Sequence, residues 1–179
     1  MSKFDLKRAV RRRALVRIHR RFETRALTGF AVASGEWLLL HILHRELFVL
    51  NGYTAVRVRD IDEASAEPGP LDGIAARVVR LKRLKPKPQP KISMASAAQL
   101  IRSVGRQFPL LTIHREGADQ DLYWVGAPLA VSPEVAEFKM IDHTARWMPG
   151  VPAFKLATIT RVDFGREYES MLHRLNETV

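Results

Sequence analysis

At 179 residues and 46% hydrophobic content, the chain is long enough for one domain or two small ones and apolar enough to bury a core, which excludes a wholly disordered chain. Cysteine is absent, so disulfides, cysteine–zinc sites and thiol nucleophiles are excluded. The net charge of +10 is unevenly placed: ten Lys/Arg against two acids in residues 1–25, three against seven in 26–76, seven against none in 77–91, and nine against ten in 92–179. Two peripheral basic segments therefore flank near-neutral or acidic globular stretches. Clustered cations of this kind attract polyanions, or merely keep a chain soluble.

The N-terminus, MSKFDLKRAVRRR, has positive charge but no apolar segment behind it, so it does not read as a secretory signal. The longest apolar run, Trp37 to Leu40, ends at His41, far short of the roughly 18 apolar residues a spanning helix needs. A cytoplasmic protein without a transmembrane segment is the expectation.

In chain order, residues 2–12 read as a short helix capped by Ser2, with Asp5 in its first turn and Phe4, Leu6 and Val10 as apolar positions. Leu15 to Arg20 alternates Val16 and Ile18 with Arg17 and His19, a half-buried strand. Leu27 to Ala33 is a second strand, whose Gly29 predicts a bend or a close backbone approach. Ser34-Gly35-Glu36 turns into a third strand, Trp37 to Leu43. A short fourth strand is expected at Leu47–Leu50, a turn at Asn51-Gly52, and a fifth strand from Tyr53 to Ile61. Five short, closely spaced strands suggest a small barrel or sandwich.

Glu67-Pro68-Gly69-Pro70 breaks regular structure, and Leu71 to Leu84 reads as a helix with an Ile74, Val78, Leu81 stripe. Lys85 to Lys91 alternates proline with charge or amide and is expected to be extended and exposed. Ser96 caps a helix from Ala97 to about Gln107, with Leu100, Ile101 and Val104 on its apolar side. The last element is a helix over Gly165 to Leu175, with Tyr168, Met171, Leu172 and Leu175 on one face.

Between these helices the first half recurs. Leu110 to Glu116 lies over Leu15 to Arg21 at an offset of 95, with four of seven positions identical. Gly126 follows as Gly29 does, Ser132-Pro133-Glu134 falls where Ser34-Gly35-Glu36 fell, and Val135–Ile141 stands where Trp37–Leu43 stood. Ala157 to Arg161 lies over Ala55 to Arg59 at an offset of 102. The expected fold is therefore mainly β (α+β): two tandem β-barrel units at 1–84 and 96–179, with short helices, joined by a basic proline-containing linker at 85–95. Two copies suggest a pseudo-symmetric pair, and a homo-oligomer is open.

The run Gly29 to Leu40, the run Asn51 to Ile61 and the ending Ile159 to Tyr168 resemble a group of uncharacterised bacterial proteins. The layout of a strand, a bent glycine-containing strand and a hairpin is similar to the Sm-like and SH3-like small barrels. That resemblance implies two such barrels, with RNA binding and ring formation as the common properties of Sm-like folds. No residue matches an RNA-contacting loop, so none is carried over.

Catalytic motifs are absent: no phosphate loop, no GxGxxG, no HExxH and no GxSxG. His41 and His44 would point to opposite sides of a strand, which argues against a shared metal. His19 and His114 occupy equivalent positions and read either as a pair lining a groove or, preferably, as strand-edge residues kept from the ancestral unit. Asp60 and Asp163 form an acid dyad only if the fold brings them together. No catalytic residue, metal or cofactor is assigned, and the chain reads as a non-enzyme. The favoured function is a non-catalytic binding module or scaffold for a protein partner. The alternative is a nucleic-acid-associated protein, with Arg11, Arg12, Arg13, Arg17, Arg20, Arg21, Lys82, Arg83, Lys85 and Lys87 contacting phosphates. Trp37, Tyr53 and Trp124 would stack on bases if exposed, but each sits in an apolar strand and reads as core. Docking of residues 2–22 on an anionic membrane is a third, weaker reading.

Overall fold

The computed structural model describes residues 5–22, 25–66, 73–88, 90–119 and 122–178, and the chain divides into unit 1, Met1–Pro90, and unit 2, Lys91–Val179. Ten strands and four α-helices lie within the described residues, an α+β arrangement dominated by antiparallel sheet.

Unit 1 opens with α1 (Leu6–Arg12), capped by Asp5, whose Oδ1 accepts the Arg8 N–H at 3.0 Å. Asp5, expected in the first turn, is instead the cap, one residue before the helix begins. The expected cap Ser2 and apolar Phe4 lie outside the described residues. Arg13 closes α1 in the left-handed region at φ 47°. Then follow β1 (Leu15–Arg20), β2 (Leu27–Ser34), β3 (Trp37–Leu43), β4 (Leu50–Arg57), a 3₁₀ turn (Val58–Asp60), β5 (Ile61–Ala66) and α2 (Ile74–Leu81). The meander β1 to β4 is antiparallel, and β5 returns beside β1 to give the order β5-β1-β2-β3-β4.

Two expectations change here. Residues 47–49 form the turn before β4 and not a strand, and Asn51-Gly52 lies inside β4. Gly52 does take positive φ, 63°, but at a register irregularity between β3 and β4. The run expected as one strand from Tyr53 to Ile61 is broken by the 3₁₀ turn, where the Val58 N–H donates to Glu36 O at 3.0 Å. Its alternation of valine and arginine hid a change of element.

Leu15 and Val16 are both buried because neighbouring strand residues point to opposite faces, and each face of the unit 1 sheet is covered. On one face Val16, Ile18, Ala31, Leu38, Leu40 and Val56 pack with Ala9 of α1. On the other, Leu15 and Phe30 pack with Ala76, and Ala75 and Val79 adjoin. α2 therefore buries its alanines. The stripe expected to be its core face is turned outward, with Ile74 66% and Leu81 83% exposed. Small side chains let a helix sit close to a sheet, and that proximity decides the face here.

Unit 2 repeats the order: α3 (Ala97–Gly105), β6 (Leu111–His114), β7 (Tyr123–Val131), β8 (Val135–Met140), β9 (Ala153–Lys155), a 3₁₀ turn (Leu156–Thr158), β10 (Arg161–Phe164) and α4 (Glu167–Glu177). Its strand order, β10-β6-β7-β8-β9, is that of unit 1. α3 is capped as expected, the Ser96 hydroxyl accepting the Gln99 N–H at 3.2 Å, and it buries Leu100, Ile101 and Val104.

The ladders make the duplication explicit. Val16 faces Gly29 in β1/β2, and Leu111 faces Gly126 in β6/β7. Both second strands slip register two residues after their glycine, between Ala31 and Ala33 and between Pro128 and Ala130. Trp37 faces Arg57 as Val135 faces Lys155. The Leu156 N–H donates to Glu134 O as the Val58 N–H does to Glu36 O. These pairs fix the offset at 98 in the second half of the unit. The alignment of Ala55–Arg59 with Ala157–Arg161 at 102 is therefore out of register by four residues. The flanking helices belong to the repeat too, since α1 packs on β2 and α3 on β7.

The expected closure into barrels is not seen in the strand pairing. Within each unit the described strands form an open sheet, with no pairing between β4 and β5 or between β9 and β10.

The segment expected as an exposed spacer is anchored at both ends. The Lys87 N–H donates to His41 Nδ1 at 3.2 Å, and the Tyr53 hydroxyl reaches Pro88 O at 3.5 Å. On the unit 2 side, Ser93 N–H donates to the Ser103 hydroxyl at 3.0 Å and Gln107 Nε2 to Lys91 O at 2.9 Å, while Ile92 and Met94 are buried.

Each second-strand glycine is required by contact. A Cβ on Gly29 would lie 2.6 Å from His41 O, and one on Gly126 would clash with Lys139 O. Both obstacles are backbone in a neighbouring strand and cannot swing away. Gly29→Ala and Gly126→Ala are each expected to destabilise their unit by about 2 kcal/mol, measured by urea unfolding. A change under about 0.5 kcal/mol would refute the close-approach argument.

Candidate functional site

The expected phosphate-contacting residues all lie in unit 1 but are not equivalent. Arg11, Arg12, Arg13, Arg17, Lys82, Arg83, Lys85 and Lys87 are exposed. Arg20 is buried at 2% exposure, its guanidinium carbon 5.9 Å from the Phe22 ring centre. Arg21 pairs with Asp60 at 3.0 Å and donates to Arg59 O at 2.7 Å. Lys82 Nζ donates to Phe48 O at 3.1 Å and Leu47 O at 3.4 Å. Arg20 is thus withdrawn from any surface, while Arg21 and Lys82 hold turns as well as carrying charge. The alternation in β1 placed Arg17 outward correctly. The same alternation puts Arg20 on the buried face with Val16 and Ile18, so its reading as a phosphate contact is corrected.

The charge division is complete. Unit 1 holds 19 Lys/Arg against nine acids, and unit 2 holds ten against ten. Two copies of one architecture therefore differ by the whole net charge of the chain.

Unit 2 has a polar feature of its own. Thr112 and His114 on β6 pair across the ladder with Asp163 and Arg161 on β10, so all four project to one face, opposite the fully buried Ile113 and Val162. The first turn of α4 covers this face. The buried Asp163 carboxylate is the hub: Oδ1 accepts Arg161 Nε at 2.9 Å and pairs with Arg166 Nη2 at 2.9 Å. Oδ2 meets His114 Nε2 at 3.0 Å and Arg161 Nη2 at 2.8 Å. Burial alone would raise the Asp163 carboxyl, but Arg161, Arg166 and His114 outweigh it and hold the group well below the usual carboxylate range. Beside it the Thr112 hydroxyl donates to Glu169 Oε1 at 2.6 Å, with Glu169 only 3% exposed. Together with Tyr123 and Tyr168 these residues line an open cavity of about 200 Å³. Tyr168 is raised by burial and then by Tyr123, with which it shares a hydrogen bond.

The sequence singled out His114 and Asp163 separately but not together. The signal available was the alternation Thr112-x-His114 and Arg161-x-Asp163, which places four polar side chains on one face of neighbouring strands. Asp60 and Asp163 fall in different units, so no acid dyad forms within either. His19 sits opposite Glu63, and Arg17 opposite Ser65, so unit 1 keeps only the histidine of the constellation. His41 and His44 are committed to separate hydrogen bonds, from Lys87 N and Leu47 N. Among the described residues no cluster of three or more His, Asp and Glu is placed to hold a metal ion. Trp37 and Tyr53 are buried, Trp37 under the Arg57 guanidinium at 5.3 Å and Tyr53 stacked on His41 at 4.7 Å. Trp124, half-buried, packs with Phe154 at 5.5 Å and Arg115 at 5.4 Å.

Comparison with protein-family models, with curated proteins and with solved structures returned no match. Among the described residues no helix is long and apolar enough to cross a membrane.

Proposed function

We propose that the chain is a non-catalytic, cytoplasmic binding module whose first unit engages nucleic acid, most simply RNA. The observation that carries this reading is the confinement of the net +10 to unit 1, with Arg11, Arg12, Arg13 and Arg17 exposed. Exposed arginines on a folded unit suit phosphate, because a guanidinium presents a planar fork of donors and a permanent positive charge. The strand order, with a 3₁₀ turn before the returning strand, supports reading each unit as an opened relative of the Sm-like and SH3-like small barrels. Fold likeness alone assigns no ligand, so the argument rests on the charge.

A second reading, docking of a protein partner, has its own support. Ile74 and Leu81 on α2, and Tyr168, Met171 and Leu175 on α4, are 42–83% exposed.

Polarisation titrations with a single-stranded RNA and the matching DNA at two salt concentrations test the first reading. Micromolar binding at low salt that weakens steeply with salt is expected. Replacing Arg11, Arg12 and Arg13 with serine should reduce the log–log salt slope by about 2, at roughly 0.7 per lost contact. Binding absent at low salt, or indifferent to the triple substitution, leaves the protein-partner reading standing.

A further inference from the structure

Among the described residues of unit 1, four large apolar side chains are left exposed: Ile74 at 66% and Leu81 at 83% on α2, and Leu47 at 64% and Val49 at 41% in the turn between β3 and β4. We propose that these residues form one surface that docks on an anionic lipid bilayer, with α2 lying in the plane of the headgroups.

The surface follows from how α2 meets its sheet. Ala75, Ala76 and Val79 pack toward Leu15 and Phe30, so positions 74, 78 and 81, on the opposite side of a helix of about 3.6 residues per turn, point away from the unit. The same geometry sets Arg77 along one edge of that stripe and Lys82 along the other, both exposed. Lys82 also ties the helix to the turn, its Nζ donating to Phe48 O at 3.1 Å and to Leu47 O at 3.4 Å. The turn is held from within: the Phe48 N–H donates to His44 O at 2.8 Å and the Leu47 N–H to His44 Nδ1 at 3.3 Å. Leu47 and Val49 are therefore presented on a fixed frame beside the C-terminal end of α2.

Charge selects the occupant. Residues 77–91 hold seven Lys/Arg and no acid, and Arg77, Lys82, Arg83, Lys85 and Lys87 are exposed. In the turn, Arg45 and Glu46 are both exposed and offset each other. Aliphatic side chains bordered by cations on both edges suit an interfacial helix: the apolar residues enter the boundary of headgroups and acyl chains, and the cations meet anionic headgroups. That attraction is to net positive charge and requires no particular donor edge. A protein partner is the poorer fit, because the hot spots of protein interfaces favour Trp and Tyr over Leu and Val, and the apolar residues exposed here are Ile, Leu and Val. With eight residues, α2 can lie on a bilayer but not cross one.

Unit 2 provides an internal control. α4 follows the returning strand β10 as α2 follows β5, and it too leaves apolar residues exposed, Met171 and Leu175 among them. Its sequence, however, holds three Glu and one Arg. The counterpart helix thus has the apolar stripe without the cations.

Co-sedimentation of the full chain with vesicles tests the proposal. Binding to vesicles of phosphatidylcholine with phosphatidylglycerol is expected, and at least about tenfold weaker binding to phosphatidylcholine alone. Ile74→Gln combined with Leu81→Gln should weaken binding to the mixed vesicles about tenfold or more and leave the urea midpoint unchanged, since both side chains are exposed. Arg77→Gln should weaken it about fivefold. Met171→Gln combined with Leu175→Gln on α4 should have no effect. RNA binding through Arg11, Arg12 and Arg13 requires no apolar contact, so the α2 variant should retain it, and the two readings fail separately. The proposal is overturned if the chain does not bind mixed vesicles at low salt, or if the α2 variant binds them as tightly as the wild type, which would make the attraction one of charge alone. With vesicle binding absent, a dimer lost in the α2 variant would give the surface to a second copy, and binding of an acidic amphipathic peptide lost in that variant would give it to a protein partner.

Discussion

Replacing Asp163 with asparagine is expected to destabilise unit 2 by about 3–5 kcal/mol, the range for removing one partner from a buried ionic cluster. Asparagine keeps the shape and one acceptor oxygen, so the loss measures charge and not volume. Arg161 and Arg166, with side chains 15% and 21% exposed, would be left without the carboxylate that balances them, and His114 would lose its Oδ2 partner. The sign with pH follows from the direction of the shift. Asp163 is held well below its ordinary range, so its contribution is fully present above the unfolded value near pH 4 and declines as pH falls further. The asparagine variant should lack that acid-side decline. Amide exchange of β6 under native conditions measures the effect. Ser65→Ala, at the equivalent ladder position of β5, is the matched control and should stay within about 0.5 kcal/mol. A loss below about 1 kcal/mol at Asp163 would mean that the three donors find other partners and that the carboxylate is not the hub.

The divergence of the two units gives that comparison its meaning. Strand order, register, bulge position, glycine contact and flanking helices recur, and these are the features that let an α+β unit of about 90 residues fold. What does not recur is charge on one copy and a buried polar cluster on the other. The retained positions serve folding, whereas the changed ones are surface arginines and a single strand face. The basic surface of one unit and the buried polar cluster of the other are therefore separate departures from a common scaffold.

How far this was legible follows from which forces act locally. Strong alternation and good caps were readable: β1, β2, β3 and β8, and α3 with Ser96, stand within a residue or two of where the pattern puts them. Gly29 was readable as a bend or a close approach, and Gly126 as its counterpart in the repeat, because glycine inside a strand marks a bulge, a bend or a close approach. Failures came where tertiary contacts decide. Val56 and Val58 look like one alternating face, yet a 3₁₀ turn begins at Val58, fixed by its bond to Glu36 O across the hairpin. The stripe on α2 is a real helical stripe, but the sheet accepts the alanine face. The Asp163 cluster was invisible because its members lie as far apart in sequence as Thr112 and Glu169, and only the β6/β10 register brings them together.

His41 should make unit 1 sensitive to mild acid. It is 1% exposed on β3, stacked on Tyr53, and its Nδ1 accepts the Lys87 N–H, a bond that only an unprotonated nitrogen can accept. Burial first, and the Lys87 charge second, lower it from 6.5 to about 4. The folded chain therefore holds the ring neutral over a range in which the unfolded chain takes up a proton. Stability is full above about pH 6.5, falls as pH drops, and reaches its largest loss near pH 4, where the folded state also protonates. A shift of this size corresponds to about 3 kcal/mol. Unlike Asp163, whose window opens below pH 4, His41 acts between pH 4 and 6.5, so the two are separable in one titration. Urea unfolding at pH 7, 5.5 and 4.5, followed at Trp37 in a chain with Trp124 and Trp147 replaced by phenylalanine, should show the decline. His41→Gln retains an acceptor for Lys87 N–H without a titrating ring, and it should flatten the profile across that window while losing a pH-independent amount from the Tyr53 stack. An unchanged slope in that variant would assign the acid sensitivity elsewhere in unit 1. A flat wild-type profile would mean that the ring and the Lys87–Pro88 segment part from each other before unfolding.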